Sequence, residues 1–202
     1  MSLSYLALGD SYTIGEGVDE HERWPVQLAK TLWERGTDLA DPRIIARTGW
    51  TTEELLTAIG DSGVAGTWDL VTLLAGVNDQ YRGYGAGRYK TTFAELLERA
   101  SGFAKLPKRL IVLSIPDWGV TPFAASRDGR DLIGKEIDNF NRIAAELATG
   151  AGAAFVDITP LTKLAATDGT LLVSDGLHPS GIMYRMWVER VLPVAARALA
   201  AS

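Results

Sequence analysis

The residue types that could do chemistry in this sequence lie near its two ends. The chain has only two histidines, and one of them, His178, lies in the segment DGLHP at 175–179. Near the N-terminus, Ser11 ends the segment GDS at 9–11, which follows the apolar run LAL. A serine hydroxyl becomes an effective nucleophile when a neighbouring base takes its proton, and an imidazole oriented by a carboxylate is such a base. Ser11, His178 and Asp175 are therefore candidates for the nucleophile, the general base and the orienting acid of a hydrolytic triad.

A triad drawn from both ends of the chain needs a scaffold that brings them together, and the apolar runs predict one. Five short runs show little polar alternation, which is typical of strands covered on both faces. They lie at Tyr5–Leu8, Arg43–Ala46, Leu70–Leu74, Leu110–Ile115 and Ala154–Ile158. Because amphipathic stretches separate them, we predict the α/β class: a single three-layer α/β/α domain over residues 1–202 with a flavodoxin-like parallel sheet of about five strands.

The helices between these strands are predicted from caps and apolar spacing. Thr51 and Glu54 form a capping-box pattern, and Gly60 is predicted to end the helix that they begin. Further helices are predicted over about 88–100, 131–149 and 180–200, with Pro193 kinking or dividing the last one. Three side chains at helical spacing predict a helix near Pro25 that buries Leu28, Leu32 and Trp33.

Composition excludes several classes of partner and chemistry. The 202 residues are 47% hydrophobic and 22% charged with a net charge of −5, and no block of Lys and Arg suggests nucleic acid or an anionic membrane. The longest apolar runs are shorter than the ~20 residues that span a bilayer, so no integral membrane association is expected. Zero cysteines exclude disulfides, thiol nucleophiles and thiolate metal sites. With no secretory signal recognisable, a cytoplasmic location is expected; composition does not address the oligomeric state.

The remaining polar motifs follow the predicted strands. In open α/β sheets, ligands bind beyond the carboxyl ends of the strands. Ser11 follows the first strand, Gly49 the second, and the segment GVND at 76–79 the third, while Asp175 and His178 precede the last helix. We therefore expect these segments to converge on one edge of the sheet.

These motifs, taken together, resemble those of the SGNH hydrolases, also called the GDSL esterase/lipase family. The blocks occur in the family's order: GDS at 9–11, Gly49 in RTGWTT, GVND at 76–79 and DGLHP at 175–179. A lone Gly-Asp-Ser or Asp-x-x-His is a weak signal, but the ordered set spans nearly the whole chain and is a strong one. The sequence departs from the pattern with Tyr12 where the family name has Leu, and with Arg-Thr-Gly where many relatives carry Ser-Gly.

The resemblance implies an α/β sandwich that acts on esters and thioesters with no metal and no organic cofactor. It also implies an oxyanion hole made of the backbone N–H of Ser11, the backbone N–H of Gly49 and the side-chain amide of Asn78. A tetrahedral intermediate needs such preorganised donors. A side chain at position 49 is expected to crowd the approaching acyl carbonyl. No Gly-x-Ser-x-Gly segment is present, which argues against the α/β-hydrolase superfamily.

Each candidate also has a purely structural alternative. Ser11 could cap a helix, and Asn78 with Asp79 could make an Asx turn at a strand end. His178 could be a histidine with satisfied hydrogen bonds that stacks before the last helix, with Asp175 as a turn former. Asp10 and Asp79 are interpreted as structural carboxylates that accept backbone N–H groups, and His21 as a solvated loop residue. The intact set of motifs favours catalysis over these alternatives.

Aromatic residues in the loops that follow the strands are candidates for lining the substrate site. They are Trp50, Tyr81, Tyr84, Trp118 and Phe123. The other tryptophans are predicted to pack in the core or between helices, at Trp24, Trp33, Trp68 and Trp187.

We therefore expect a serine esterase that hydrolyses carboxylic esters of small molecules, sugars or lipids through an acyl-enzyme. A thioesterase or acyltransferase on the same triad is the alternative within enzymes. A non-catalytic module that binds small ligands or carbohydrate is the alternative of another class, and a broken triad would favour it. A nucleotide-binding domain is disfavoured, because no glycine fingerprint for phosphate is present. The motifs do not specify the acyl length.

Overall fold

The computed structural model describes residues 2–125 and 130–200, and its centre is one parallel sheet. The strand order is β2-β1-β3-β4-β5, and every neighbouring pair is parallel. The strands are β1 Tyr5–Gly9, β2 Arg43–Ala46, β3 Leu70–Leu74, β4 Leu110–Leu113 and β5 Ala154–Val156. The predicted α/β class and five-stranded parallel sheet are confirmed.

Coverage of the strands depends on their place in the sheet. Every residue of β1, β3 and β4 is buried, as their continuous apolar sequences predict. The edge strands β2 and β5 are only partly buried, so the prediction of full coverage is wrong for them. An edge strand has a neighbour on one side only, which leaves part of its surface open to solvent.

Strands β4 and β5 end two residues earlier than predicted, because side-chain oxygens take the place of the neighbouring strand as acceptors for the backbone N–H groups. After β4, the backbone N–H of Ile115 donates to Asn141 Oδ1 at 2.6 Å. After β5, the backbone N–H of Ile158 donates to Ser114 Oγ at 2.8 Å. These acceptors satisfy the backbone where the chain turns out of the sheet.

Helices flank this sheet as the alternating pattern predicts. The long helix α2 packs against α9, while α5 packs against both α3 and α7. The helices are α1 Ser11–Ile14, α2 Trp24–Glu34, α3 Thr52–Asp61, α4 Val77–Tyr81, α5 Ala86–Ser101, α6 Pro122–Ala125, α7 Arg130–Gly150, α8 Thr159–Thr162 and α9 Gly181–Ala200. Across the described ranges, no helix combines the length and the apolar character needed to cross a membrane.

The helix signals were mostly accurate. The capping box of Thr51 and Glu54 is present at the start of α3, but the helix runs one residue past Gly60. Helix α9 continues through Pro193 as one element, so the prediction that Pro193 divides it is wrong. The prediction that this face buries Trp33 is also wrong, since the residue is 63% exposed, whereas Leu28 and Leu32 are buried as predicted.

The order of the strands determines where a site can form. Strand β1 lies between β2 and β3, so the chain leaves β1 on one side and later returns on the other. Ligands bind at such a reversal of strand order, beyond the carboxyl ends of the strands. Helix α1 begins directly after β1, and α4 begins shortly after β3. Both helices therefore start at this crevice.

Candidate active site

Ser11 is the first residue of α1, immediately beyond the end of β1. The N-cap of this helix is Asp10, whose carboxylate accepts the backbone N–H of Tyr12 at 3.0 Å, so the alternative that Ser11 itself is the cap is wrong. Ser11 is 4% exposed, and its hydroxyl makes no hydrogen bond to any described residue, His178 included. The hydroxyl therefore lies at the cleft without a hydrogen-bond partner among the described residues. Catalytic hydrogen bonds are often long without substrate, so this geometry is compatible with attack.

Asp175 holds His178 through both of its carboxylate oxygens. The oxygen Oδ2 lies 2.6 Å from His178 Nδ1, and Oδ1 accepts the backbone N–H groups of Leu177 at 2.8 Å and of His178 at 2.9 Å. Gly176 makes this tight turn with a φ of 68°. The carboxylate therefore fixes both the loop and the ring, and it leaves Nε2 as the ring nitrogen for another partner.

The charge state of Asp175 suits a group that accepts a hydrogen bond from the His178 ring. Its partial burial raises the pKa, but the hydrogen bonds from the His178 ring and from two backbone N–H groups outweigh burial, and the pKa lies below its ordinary value. An ionised carboxylate can only accept hydrogen bonds. Nδ1 of His178 is then the protonated nitrogen, and Nε2 is free to accept a proton.

One cleft brings Ser11 and His178 together. It has a volume of about 160 Å³, and the ring of Tyr12 packs on His178 with the centroids 5.6 Å apart. Asp175 is not among the lining residues and stands behind His178. The cleft is lined by Ser11, Tyr12, Thr48, Gly49, Val77, Asn78, Tyr81, Trp118, Phe123, Leu177 and His178.

Gly49 and Asn78 face the same cleft. Gly49 has a φ of 86°, and a Cβ built on it meets no heavy atom within 4 Å. The left-handed backbone, rather than crowding by neighbouring protein atoms, is therefore what requires glycine here. Asn78 lies in α4 rather than in an Asx turn, and its Nδ2 donates to the carbonyl of Trp50 at 2.9 Å. An amide nitrogen carries two N–H donors, so one remains for a ligand.

Helix α4 also holds the loop that carries Gly49. Arg82 donates from Nη2 to the carbonyl of Gly49 at 2.6 Å and from Nη1 to Glu54 at 3.1 Å. Glu54 in turn accepts the backbone N–H of Thr51 at 2.9 Å. Asn78 and Arg82, four residues apart, therefore bind the successive carbonyls of positions 50 and 49. This pair, which we call the loop clamp, ties the loop after β2 to α4.

The buried carboxyl groups of Asp10 and Asp79 support the loops, as predicted. Asp79 accepts the backbone N–H of Thr52 at 2.9 Å and its hydroxyl at 2.7 Å. Burial raises the pKa of Asp10 to about 8, and the negative charge of Asp79 adds to that rise against the hydrogen bond from the N–H of Tyr12. Neither carboxylate lines the cleft. His21 is exposed in the turn of 20–22, also as predicted.

Three of the five predicted aromatic residues form one wall of the cleft. Trp118 lies between Tyr81 and Phe123, with ring centroids at 5.6 Å and 6.2 Å respectively. Trp50 and Tyr84 lie outside it, contrary to expectation. Trp50 lies beside α3, and Tyr84 is covered by the Arg88 guanidinium, 3.7 Å from the ring centroid.

Sequence reasoning missed four lining residues. Tyr12, Thr48, Val77 and Leu177 each stand next to a predicted site residue along the chain. That adjacency is the signal that could have found them. Among the described residues, no group of three or more His, Asp or Glu side chains is arranged to hold a metal ion.

Comparisons with known proteins agree with this fold. A model of the GDSL-like lipase/acylhydrolase family matches residues 7–186. TesA is 21% identical, with a TM-score of 0.74 over 97% of this chain and 99% of that chain. The acetyl xylan esterase Axe2 from Geobacillus stearothermophilus (W-to-I variant) is 18% identical, with a TM-score of 0.73 over 96% and 94%.

A third solved structure shows the same likeness. A member of the lipolytic G-D-S-L family from Veillonella parvula is 18% identical, with a TM-score of 0.73 over 97% of this chain and 100% of that chain. At these identities the structural likeness shows a shared fold. No curated protein sequence matches the chain.

Proposed function

Since the chain belongs to the GDSL-like lipase/acylhydrolase family and is an ester-hydrolysing serine hydrolase, we propose that Ser11, His178 and Asp175 are its catalytic triad. The observation that carries this proposal is the shared cleft. Ser11 and His178 both line it, and Asp175 holds Nδ1 of His178 at 2.6 Å from behind. Small-molecule carboxylic esters are the substrates.

Acylation begins with proton transfer from Ser11. His178 Nε2 takes the hydroxyl proton while Ser11 Oγ forms a bond to the ester carbonyl carbon. The carbonyl oxygen becomes an oxyanion, for which the N–H groups of Ser11 and Gly49 and the amide of Asn78 are the donors. His178 then gives its proton to the leaving alkoxide, the ester C–O bond breaks, and an acyl-Ser11 remains.

Deacylation repeats the sequence with water. His178 Nε2 takes a proton from water as the water oxygen attacks the acyl carbonyl. The second tetrahedral intermediate collapses, the proton passes to Ser11 Oγ, and the carboxylic acid leaves. Asp175 stays ionised throughout and stabilises the imidazolium that forms in each half-reaction.

A solved relative supports the assignment. The acetylxylan esterase Axe2 has been solved as catalytic mutants that replace one serine, one aspartate and one histidine, the last two three residues apart in its sequence. Asp175 and His178 have that spacing here. The correspondence of residue types and spacing supports the triad proposed for this chain.

Kinetics on p-nitrophenyl acetate test the proposal. We expect Ser11→Ala to reduce kcat by at least about 10³-fold, because no acyl-enzyme can form without the hydroxyl. The matched control is Ser174→Ala, which removes an exposed hydroxyl next to Asp175 and outside the cleft, and which should keep wild-type kcat. An unchanged kcat in Ser11→Ala, with an unchanged melting temperature, would refute the assignment.

A further inference from the structure

The aromatic wall of the cleft is anchored from outside the cleft. Trp118 is 4% exposed and lies between Tyr81 and Phe123, so the position of its indole decides how wide the cleft is at that wall. Aromatic pairs accept both offset-stacked and edge-to-face arrangements, so these contacts do not by themselves fix one orientation of the indole. A hydrogen bond to the indole N–H does.

Gln80 provides that hydrogen bond. It lies on α4, is 7% exposed, and its Oε1 accepts the indole N–H of Trp118 at 2.8 Å. Its Nε2 donates to Glu136 Oε2 on α7 at 2.7 Å. Gln80 does not line the cleft.

Chemistry permits only one orientation of this relay. The indole nitrogen can only donate a hydrogen bond, so its partner in Gln80 is the amide oxygen. Gln80 must therefore point its oxygen at Trp118 and its nitrogen at Glu136. Glu136 fixes the amide of Gln80, and the amide fixes the indole.

We infer that Gln80 is a positioning residue that fixes the Trp118 wall and thereby sets the size selectivity of the cleft. The inference rests on the proposed function, because it assumes that the substrate occupies the cleft beside Ser11. Gln80 is two residues from Asn78 on the same short helix, so the wall and an oxyanion donor share one rigid support.

The test measures selectivity rather than overall rate. Gln80→Met keeps the volume and removes both hydrogen bonds, and Glu136→Leu removes the anchor from the exposed end. The kcat/KM ratio between short and long esters is measured in two series, p-nitrophenyl esters of increasing acyl length and acetates of increasingly large alcohols. Because a lost hydrogen bond is worth about 0.5–1.5 kcal/mol, we expect the ratio to change by about threefold to tenfold in at least one series, mainly through KM.

Two comparisons separate positioning from a merely structural effect. Glu146→Leu removes another exposed carboxylate of α7, one that pairs with Arg142, and should keep the wild-type ratio. In a Trp118→Phe background, which has no indole N–H, Gln80→Met should add no further change in the ratio. Additive effects in that double variant, or wild-type ratios in both Gln80→Met and Glu136→Leu, would overturn the inference.

Failure of the proposed function gives a different result. Fluorophosphonate labelling of Ser11 should persist in Gln80→Met, because the triad is intact. If the wild-type protein itself labels at another residue, the triad is wrong, whereas normal labelling with unaltered selectivity shows that Gln80 does not position the wall. If Gln80→Met fails to fold, Glu136→Leu carries the test, since its side chain is exposed.

Discussion

His178 depends on Asp175 for both its tautomer and its position. Three hydrogen bonds, none longer than 2.9 Å, join the carboxylate to the ring and to the backbone of the same turn. The acid and the base therefore form one local unit, which was recognisable from their spacing of three residues. Ser11 had to be brought to them by the sheet.

We expect Asp175→Asn to lower kcat by up to about 10⁴-fold, because an amide that donates to Nδ1 would favour the wrong tautomer. The KM for a short ester should change little. Steady-state kinetics check this, with Asp168→Asn as the control, since Asp168 caps an exposed turn and does not line the cleft. A loss of less than tenfold in Asp175→Asn would show that Asp175 does not orient the base.

Gly49 offers a second test at the scale of one residue. Its φ of 86° is costly for any side chain, so Gly49→Ala should lower the free energy of unfolding by about 1–2 kcal/mol and displace the N–H donor, reducing kcat. Gly60→Ala is the matched control, because Gly60 is in α3 with open space around it and should gain about 0.5–1 kcal/mol. Urea unfolding measures the free energy of unfolding of both variants, and steady-state kinetics measure their kcat. Equal changes in Gly49→Ala and Gly60→Ala would contradict the argument.

At the scale of elements, helix α4 joins the parts of the site. It carries Asn78, the anchor Gln80 and the lining residue Tyr81, and the loop clamp ties it to the loop after β2. This helix was not predicted, because its five residues are too few to show a helical period. That α4 joins the parts of the site can be seen only from its tertiary contacts with the neighbouring loops.

The loop clamp predicts that Arg82 acts on turnover without touching the cleft. Arg82→Met should lower kcat by about threefold to tenfold, since the carbonyl of Gly49 loses its charged donor and the neighbouring N–H becomes less well placed. Arg88→Met is the control, because Arg88 pairs with Glu53 and covers Tyr84 outside the cleft. Equal kcat values in both variants and the wild type would contradict this view of the clamp.

Local patterns were enough for elements whose signal is short-range. The buried central strands and the capping box of α3 follow from runs and spacings of a few residues, and the proposed triad residues are singled out by the same kind of signal. Trp33, Trp50 and Tyr84 were misplaced because burial of an aromatic side chain depends on which element packs over it. That depends on tertiary contacts, such as Arg88 over Tyr84 and α3 beside Trp50.

At the scale of the whole molecule, burying Asp10 beside the crevice lowers the free energy of unfolding at neutral pH. Asp10, which directly precedes Ser11, is fully buried, and burial raises its pKa from 3.8 to about 8. Between those two values the unfolded chain is ionised at Asp10 while the native protein holds the proton. The native state therefore binds more protons, and this group makes the free energy of unfolding fall as pH rises from about 4 to about 8.

Asp10→Asn should remove that component, because the amide keeps an oxygen for the N–H of Tyr12 and does not titrate. Urea unfolding of both proteins at pH 5 and at pH 8 measures it. The variant should gain stability relative to the wild type as the pH rises between these values. If the difference between the two proteins is the same at both pH values, Asp10 is not protonated in the native state.

The identity of the nucleophile is the claim on which the mechanism depends most directly. The protein is treated with a fluorophosphonate, and the modified peptide is identified by mass spectrometry beside the Ser11→Ala variant. We predict one adduct, on Ser11, with loss of esterase activity in proportion to labelling and no adduct in the variant. Stoichiometric labelling at another residue, or full esterase activity with Ser11 quantitatively modified, would contradict the account.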